Sequence, residues 1–363
     1  MDFIGNEAVA QRLREAVAAD RVPQAVILAG AKGAGKYTLA LMFAQLVNCL
    51  EPVESDGLPD ACGQCRNCVQ IGEAANLDAR VAEAVEARED LRETDKRETR
   101  ILVQTHPDVM VIPPDPPQML IKLGQVKQVI HNAYYRPPSE GKRSVFLFTT
   151  SALMKEAANS LLKVMEEPPA NCTLILLSEN PAELLPTIRS RAVLHRLHAV
   201  PAASLERLLA ERRPELRTAQ RTLVARLAEG AVGRALAFDL EAWMSSRNDA
   251  LVVLHTALRQ PDDSALFRMT ESYRAGADGQ GKTQEMMRAL YALVEDLMMV
   301  HAGTAELMRN LDLAAELQQM AAGIDVDWLE RAAREMYAVN AGMRRNLLRS
   351  LSLDAMAAGM AGR

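Results

Sequence analysis

Residues 30–38, with the sequence GAKGAGKYT, have the types and spacing of a loop that holds phosphate. Gly30, Gly35 and Lys36 match the pattern GxxxxGK. In that pattern, glycines let backbone N–H groups turn inward around a phosphate, and the lysine reaches the outer phosphates. An apolar run before the loop predicts a buried strand, and an apolar stretch after it predicts a helix whose N-terminus adds positive potential. The sequence therefore predicts a nucleotide-binding loop with the contact residues Gly30, Gly33, Gly35, Lys36 and Thr38.

The groups that handle metal ion and water in P-loop ATPases are missing from their usual positions. Tyr37 follows the lysine, where a serine or threonine hydroxyl would hold Mg²⁺, and a phenol is too long to replace that hydroxyl. The apolar run at residues 145–148 predicts a second buried strand. It is followed by Thr149 and Thr150 instead of the acidic pair that organises Mg²⁺ and activates water. Because the metal ion supplies several kcal/mol of stabilisation, the sequence predicts a loop that permits ATP binding without hydrolysis.

Four of the five cysteines lie close together in the sequence. Cys62, Cys65 and Cys68 follow a CxxCxxC spacing, and Cys49 precedes them. In a compartment that keeps thiols reduced, such a group indicates metal binding rather than disulfides, and four thiolates suit a closed tetrahedral zinc site. The alternative, buried cysteines without metal, fits poorly because the loop between the first and last cysteine is polar and has no means of packing a core. We expect structural zinc bound by these four residues.

Length, charge and hydropathy exclude several classes of protein. At 363 residues, 49% hydrophobic and 25% charged, the chain suits a globular protein of roughly two or three domains. A net charge of −5 argues against a basic nucleic-acid-binding protein, so any DNA contact must come from local patches or from partners. No apolar run approaches ~18 residues, and the first residues lack the pattern of a signal peptide. We expect a cytoplasmic protein without a membrane partner.

The order of the apolar runs predicts an α/β part followed by an all-α part. In the first part, apolar strands alternate with helices, which is typical of a parallel sheet covered on both faces. After residue 201, no run is typical of a strand. The expected division is a nucleotide-binding domain at 1–198, with a zinc module at 49–68 and a charged, solvent-exposed helical insertion at 72–104, then helical domains at 199–244 and 245–363.

Taken together, these motifs resemble those of the delta-prime subunits of bacterial DNA polymerase III clamp loaders, which are AAA+ proteins. The resemblance is carried by the phosphate loop, the four cysteines, LLKVMEEPP at 161–169, SR at 190–191 and GAVGRAL at 230–236. It implies that the three predicted domains are an AAA+ P-loop core, a small helical lid and a C-terminal helical collar. In that family, the subunits assemble through the collar into an open ring.

The same resemblance assigns a role to Arg191. In the family, a Ser-Arg pair supplies an arginine finger to the ATP site of a neighbouring gamma/tau motor subunit, and Ser190 with Arg191 matches that pair. Ala192 stands where the family usually has cysteine. From spacing alone, Arg189 and Arg191 are ordinary arginines at the end of a predicted helix. The resemblance therefore implies that Arg191 takes part in catalysis at the ATP site of the neighbouring subunit and that Arg189 does not.

The function that the resemblance implies is that of a stator, a non-hydrolysing clamp-loader subunit within the DNA polymerase III holoenzyme, which is a DNA-directed DNA polymerase. Its partners would be the gamma/tau and delta subunits, through AAA+ and collar contacts, and the sliding clamp and primed DNA through the complex. An active AAA+ ATPase of the gamma/tau or Holliday-junction motor kind is the alternative, and an acidic pair after residue 148 would favour it. A zinc-dependent DNA-binding protein would need a basic face near the cysteines, where only Arg66 is found.

Overall fold

The computed structural model describes residues 3–116, 118–135, 138, 141–259, 263–273, 278–342 and 348–362. The chain forms two compact units. The first comprises Met1–Pro201 with Gly230–Arg234, and the second comprises Ala202–Glu229 with Ala235–Arg363. The predicted three-domain organisation, with its further boundary at residue 244, stays a prediction.

A mixed sheet forms the centre of the first unit. Its strands, with those of a separate hairpin, are β1 (Ala25–Ala29), β2 (Val53–Ser55), β3 (Leu58–Asp60), β4 (Val103–His106), β5 (Val109–Ile112), β6 (Ser144–Phe148), β7 (Cys172–Ser178) and β8 (Val193–Arg196). The six-stranded sheet has the order β4-β5-β6-β7-β1-β8, and β2 pairs with β3. All neighbours from β5 to β8 are parallel. The carboxyl ends of β1, β6 and β7 therefore lie at one edge, where such sheets form their ligand sites.

The predicted parallel sheet is confirmed except at β4, which runs antiparallel to β5. Sequence reasoning missed this strand because it is not an apolar run: Val103 and His106 are buried, and Gln104 between them is exposed. Pro107 and Asp108 form the turn between the two strands. The backbone N–H of Asp108 donates to Nδ1 of the buried His106 at 3.1 Å, which helps to hold this turn. A short edge strand of this kind ends the sheet without exposing a parallel edge.

Helices cover both faces of the sheet. They are α1 (Glu7–Ala18), α2 (Lys36–Asn48), α3 (Arg66–Gly72), α4 (Leu77–Glu89), α5 (Glu93–Glu98), α6 (Leu123–Tyr135), α7 (Lys155–Glu166) and α8 (Pro186–Arg189). Successive side chains of a strand point to opposite faces. Val26 and Leu28 of β1 accordingly join an apolar cluster with α1 and α2, whereas Ile27 joins a second cluster with α6 and α7. The predicted α/β architecture of this part is confirmed.

The charged segment at residues 72–104 contains two of these helices. The helices α4 and α5 span most of it, and α4 has no buried residue. Arg88 of α4 lies 2.8 Å from a carboxylate oxygen of Asp115, and the Lys122 ammonium lies 3.1 Å from the same oxygen. The Asp115 side chain is only 1% exposed, and a buried carboxylate needs such partners. This cluster therefore fixes the insertion to the body of the first unit.

The second unit is helical throughout the part that the structure describes. Its helices are α9 (Ala202–Arg212), α10 (Thr218–Leu227), α11 (Val232–Leu236), α12 (Leu240–Arg259), α13 (Ser264–Glu271), α14 (Asp278–His301), α15 (Ala314–Ala321), α16 (Val326–Gly342) and α17 (Arg349–Met360). The first residues of α11 belong to the first unit. One apolar cluster joins α10 to the helices from α12 to α17, which confirms the predicted all-α part. None of the described helices has the length and hydropathy needed to cross a membrane.

Candidate functional site

The phosphate loop connects the carboxyl end of β1 to the first turn of α2. The structure brings Gly30, Gly33, Gly35, Lys36 and Thr38 together here, as residues of one loop and one helix start. Gly33 and Gly35 have φ angles of 82° and 88°, a region that residues with a Cβ rarely adopt. The N–H of Gly30 donates to the carbonyl of Ser178 at 3.0 Å, which joins the loop to β7. The glycines are thus required by the backbone path of the loop.

The Lys36 side chain turns back into this loop. Its Nζ donates to the carbonyl oxygens of Gly30 at 2.6 Å and of Ala31 at 2.8 Å. Burial lowers the pKa of Lys36, and the nearby carboxylate of Glu179 acts in the opposite direction. Glu179 follows β7 directly, and sequence reasoning did not single it out. A phosphate that binds to Lys36 must compete with the two loop carbonyls.

The segment GAVGR at Gly230–Arg234 lies against the same loop. The N–H of Gly233 donates to the carbonyl of Gly33 at 2.7 Å. A Cβ added at Gly33 would lie 2.8 Å from the Arg234 nitrogen, and one added at Gly233 would lie 3.0 Å from the Gly33 oxygen. Both glycines therefore permit an approach that a side chain would prevent. The sequence identified this segment only as a family landmark, because its contact with the loop depends on the tertiary fold.

Tyr37 is used for packing. Its phenol donates to the carbonyl of Ala74 at 2.6 Å, in the short 3₁₀ turn Glu73–Ala75 that follows α3. Burial raises the pKa of Tyr37 well above its ordinary value, so the phenol stays neutral. Because its phenol is bonded to the Ala74 carbonyl, Tyr37 does not offer a hydroxyl to Mg²⁺ in the way that a serine or threonine would at this position. The residue after the loop lysine thus joins α2 to the segment beyond the cysteines.

The end of β6 carries hydroxyls where an active ATPase would carry carboxylates. Thr149 donates its backbone N–H to the carbonyl of Ile112 at 3.1 Å, which continues the pairing with β5. The Thr150 hydroxyl accepts from the N–H of Ala152 at 3.1 Å. Such a side-chain turn is a local structural feature, and neither hydroxyl is a base strong enough to activate water.

Arg191 lies just after α8, and its guanidinium is held by groups of this chain. It donates to the Thr187 carbonyl at 3.1 Å and to the Ser190 hydroxyl at 3.4 Å. It also lies 3.0 Å from a carboxylate oxygen of Glu166, the last residue of α7. The Arg191 and Glu166 side chains are 36% and 53% exposed, so the pair lies at the surface. Sequence reasoning found Arg191 but missed Glu166 as its partner.

The four predicted cysteines come together in one cluster. Their sulfur atoms all lie within 4.8 Å of one another, and Cys49 Sγ lies 3.5 Å from Cys62 Sγ and 3.9 Å from Cys65 Sγ. Zinc–sulfur bonds of ~2.3 Å in a tetrahedron place the sulfurs about 3.8 Å apart, so the donor set fits a zinc ion. Cys49 and Cys68 are buried, whereas Cys62 and Cys65 are half-buried. The cluster can therefore hold a structural metal ion such as zinc.

The local electrostatics of the cluster differ from one thiol to another. Burial raises the pKa of Cys49 and of Cys68. Burial also acts to raise the pKa of Cys65, but backbone N–H donors from Cys68 and Leu50, together with hydrogen bonds from the Cys68 and Cys62 thiols, outweigh it and bring the pKa down to about 6. Backbone donors of this kind stabilise thiolates, the form that binds metal.

Residues 49–68 were interpreted from the sequence as a loop that cannot pack a core by itself, and the hairpin within them was not predicted. They contain the hairpin β2–β3, whose turn is formed by Asp56 and Gly57 at φ 51° and 73°. An Asp-Gly pair between two short runs is a strong hairpin signal, and it was available in the sequence. Arg14 of α1 holds the hairpin by donating to the carbonyls of Ser55, Leu58 and Pro59. The hairpin therefore packs against α1 while the cysteines close its base.

The family described as DNA polymerase III, delta subunit, matches residues 5–201, more than half of the chain. The DNA polymerase III subunit delta-prime of Pseudomonas aeruginosa is 30% identical over 169 residues, which cover 47% of this chain and 41% of that protein. This chain thus spans less than half the length of the Pseudomonas relative.

Two further relatives match more of the chain. The DNA polymerase III subunit delta-prime of Bacillus subtilis is 25% identical over 321 residues, covering 86% of this chain and 83% of that protein. The DNA polymerase III subunit tau of Escherichia coli is 25% identical over 246 residues, covering 66% of this chain and 32% of that protein. The match to the Bacillus delta-prime protein therefore extends over both units.

Proposed function

The chain belongs to the DNA polymerase III delta-prime subunit family, and from that membership we propose that it is a non-hydrolysing stator of the clamp loader. It supplies an arginine finger to a neighbouring gamma/tau subunit while that neighbour hydrolyses ATP. The observation that carries the proposal is the state of the phosphate loop. The glycines and Lys36 that hold phosphate are present, whereas Tyr37 packs against Ala74 and threonines follow β6.

The chain's own loop lacks the groups that phosphoryl transfer requires. Phosphoryl transfer depends on a metal ion held by a loop hydroxyl and an acidic residue, and on a group that activates the attacking water. Tyr37, Thr149 and Thr150 occupy the positions of these groups. ATP can still bind through the loop glycines and Lys36, but weakly, because Lys36 already donates to two loop carbonyls. The loop is a nucleotide site that lacks the means of hydrolysis.

Arg191 is the residue that would act on the neighbouring subunit. A guanidinium that stabilises charge on a neighbour's γ-phosphate needs nothing from its own subunit's loop. Arg191 is exposed, and the guanidinium has more N–H groups than its bonds to Thr187, Ser190 and Glu166 use. It is therefore free to donate to a phosphate oxygen outside this chain. Arg189, also exposed, lies one residue before the motif, and its side chain makes no hydrogen bond among the described residues.

The proposed partners follow from the family. The gamma/tau and delta subunits contact this chain through the AAA+ core at 1–198 and the collar at 245–363, with a lid at 199–244 between them in sequence. The sliding clamp and primed DNA are reached through the complex, where backbone phosphates are followed without reading sequence. With a net charge of −5, the chain depends on these partners for most of its attraction to DNA.

Zinc has a structural part in this proposal. Cys49, Cys62, Cys65 and Cys68 would hold the ion, and with four protein ligands no position remains open for water or substrate. The ion would cross-link the base of the hairpin to the end of α2. Gln45 donates to the Cys68 carbonyl at 2.7 Å, so the module is also tied to α2 by the protein itself.

We expect the purified chain to show no ATPase activity above background at saturating Mg²⁺ and ATP. The reason is that its loop lacks a hydroxyl for the metal ion and an acidic pair after β6. A phosphate-release assay on the wild type and on Lys36→Ala tests this, because contaminating ATPases are insensitive to that substitution. Turnover that persists through purification and is lost in Lys36→Ala would contradict the proposal.

One observation favours the alternative of an active ATPase. Glu179 follows β7, which lies next to β1, and its carboxylate acts on the pKa of Lys36. A carboxylate at that edge is a candidate base for water. If the purified chain hydrolyses ATP, Glu179→Gln should therefore abolish that activity. In a non-hydrolysing stator, the same substitution should change nothing, because there is no ATPase activity to lose.

A further inference from the structure

We propose that Glu166 is a positioning residue that orients the Arg191 guanidinium toward the neighbouring subunit. This proposal rests on the finger function proposed for Arg191. Glu166 ends α7, and Arg191 follows α8, so the ion pair joins two elements that are distant in the chain. Their closest atoms, Oε1 of Glu166 and Nη2 of Arg191, lie 3.0 Å apart.

The guanidinium is held on two sides. On one side, Nη1 donates to the Thr187 carbonyl and to the Ser190 hydroxyl, and that hydroxyl itself donates to the Thr187 carbonyl at 3.1 Å. On the other side, Nη2 donates to Glu166. Without Glu166, only the contacts beside Arg191 in sequence would remain. An arginine side chain can adopt many rotamers. The Glu166 carboxylate restricts the rotamers of Arg191 before Arg191 contacts the neighbouring subunit.

The position of Glu166 in its own helix has no local explanation. A carboxylate in the last turn of a helix faces the negative end of the helix dipole, which is unfavourable. Lys163 is the favourable charge in that turn. The Glu166 side chain is also 53% exposed, so burial does not account for its presence. The Arg191 cation is the contact in the described structure that compensates for this unfavourable placement.

The end of α7 is itself fixed. Pro168 follows within two residues and disfavours continuation of the helix. The Tyr134 phenol of α6 donates to the Glu167 carbonyl at 2.7 Å. The Glu167 side chain is exposed and makes no hydrogen bond or ion pair among the described residues. Of the two neighbouring glutamates, Glu166 has the contact with Arg191, and Glu167 therefore serves as the matched control.

An orienting role predicts an effect on rate and not on ATP affinity. The finger contacts charge that develops on the γ-phosphate as the bond breaks, so its alignment affects the transition state more than the bound substrate. The pair is exposed, and exposed ion pairs contribute modestly, so we expect the rate at the one ATP site that faces Arg191 to decrease by about twofold to fivefold. Salt screens such pairs, so the difference between wild type and variant should shrink at high ionic strength.

The experiment is a double-mutant cycle in the clamp loader reconstituted from this chain and the same organism's gamma/tau and delta subunits. Steady-state ATPase, stimulated by the sliding clamp and primed DNA, is measured for Glu166→Gln, Arg191→Ala, the double variant and Glu167→Gln. We expect Glu166→Gln to lower kcat at an unchanged KM for ATP and Glu167→Gln to match the wild type. In the Arg191→Ala background, Glu166→Gln should have no further effect. Glu166→Asp should restore part of the loss.

Each other outcome overturns a defined part of this inference. If Glu166→Gln matches Glu167→Gln while Arg191→Ala is impaired, Glu166 does not position the finger, and the finger function stands. If Glu166→Gln causes the same loss with and without Arg191, it acts through another group, and the inference is wrong. If Arg191→Ala has the wild-type kcat, the finger function fails and the inference fails with it.

Discussion

Replacing Arg191 with alanine should slow clamp loading by the reconstituted complex while the subunit still folds and assembles. An arginine finger is worth ~10³ to 10⁵ in rate at the ATP site that it serves. Only the motor site facing this chain would lose its finger. The ATPase rate of the whole complex should therefore decrease only in part. The rate of clamp loading should decrease further, because loading needs the ATP sites to act together.

Folding should be unaffected because the side chain lies at the surface. Arg191 is 36% exposed, and an exposed ion pair such as that with Glu166 contributes ~0 to 1 kcal/mol to stability. Loss of the whole side chain should leave the melting temperature and co-purification with gamma/tau close to those of the wild type.

The control is Arg189→Ala, which removes the same charge one residue before the motif. Arg189 is exposed and forms no ion pair among the described residues, so its loss should have little effect on loading. Loading is best compared at limiting ATP, where the rate follows kcat/KM for ATP and therefore includes the loss of transition-state stabilisation. Equal rates for wild type and Arg191→Ala under that condition would leave the chain as a scaffold without a finger.

Metal analysis of protein purified without added zinc should find about one Zn²⁺ per chain, and Cys62→Ser with Cys65→Ser should remove it. Four sulfurs within 4.8 Å of one another suit a single tetrahedral ion. Binding of structural zinc by four ligands is worth ~10 to 16 kcal/mol in small zinc modules, so loss of two ligands should empty the site.

Loss of the zinc ion should disturb the structure around the cysteines and leave the central sheet intact. Outside the metal site, the module is held by Arg14 on the hairpin and by Gln45 and Asn67, which bond α2 and α3 to each other. Chelation should therefore increase amide exchange in residues 49–68 and leave β1 and β7 protected. Cys172→Ala is the matched control, because this cysteine lies buried in β7, apart from the cluster. Unchanged metal content in the double variant would show that the cluster is not the zinc site.

The strands and helices that build the site were predictable because their signals are local. The apolar runs at Ala25–Ala29 and Cys172–Ser178 have every residue buried, which is how a central parallel strand differs from its surroundings. The glycines of the phosphate loop and the spacing of the cysteines likewise carry their meaning within a few residues. The hairpin at Asp56 and Gly57 was equally local, and was missed because its strands are short and polar.

The remaining features depend on residues far apart in the chain. The bond from Gly233 to Gly33 joins the two glycine segments only after the fold has formed. The same holds for the bond of Tyr37 to Ala74 and for the pair formed by Glu166 and Arg191. No periodicity or spacing in one sequence predicts which carboxylate an exposed arginine will meet. The composition of the site was therefore accessible from the sequence, and its internal contacts were not.

The most direct test of the stator account compares two variants of this chain by the rate of clamp loading in the reconstituted complex. Lys36→Ala disables the chain's own phosphate loop, and Arg191→Ala removes the group proposed to act on the neighbour. The account predicts that Lys36→Ala loads clamps at the wild-type rate, whereas Arg191→Ala is slower by about tenfold or more. Slow loading with Lys36→Ala and wild-type loading with Arg191→Ala would contradict it, because the chain would then act through its own ATP site.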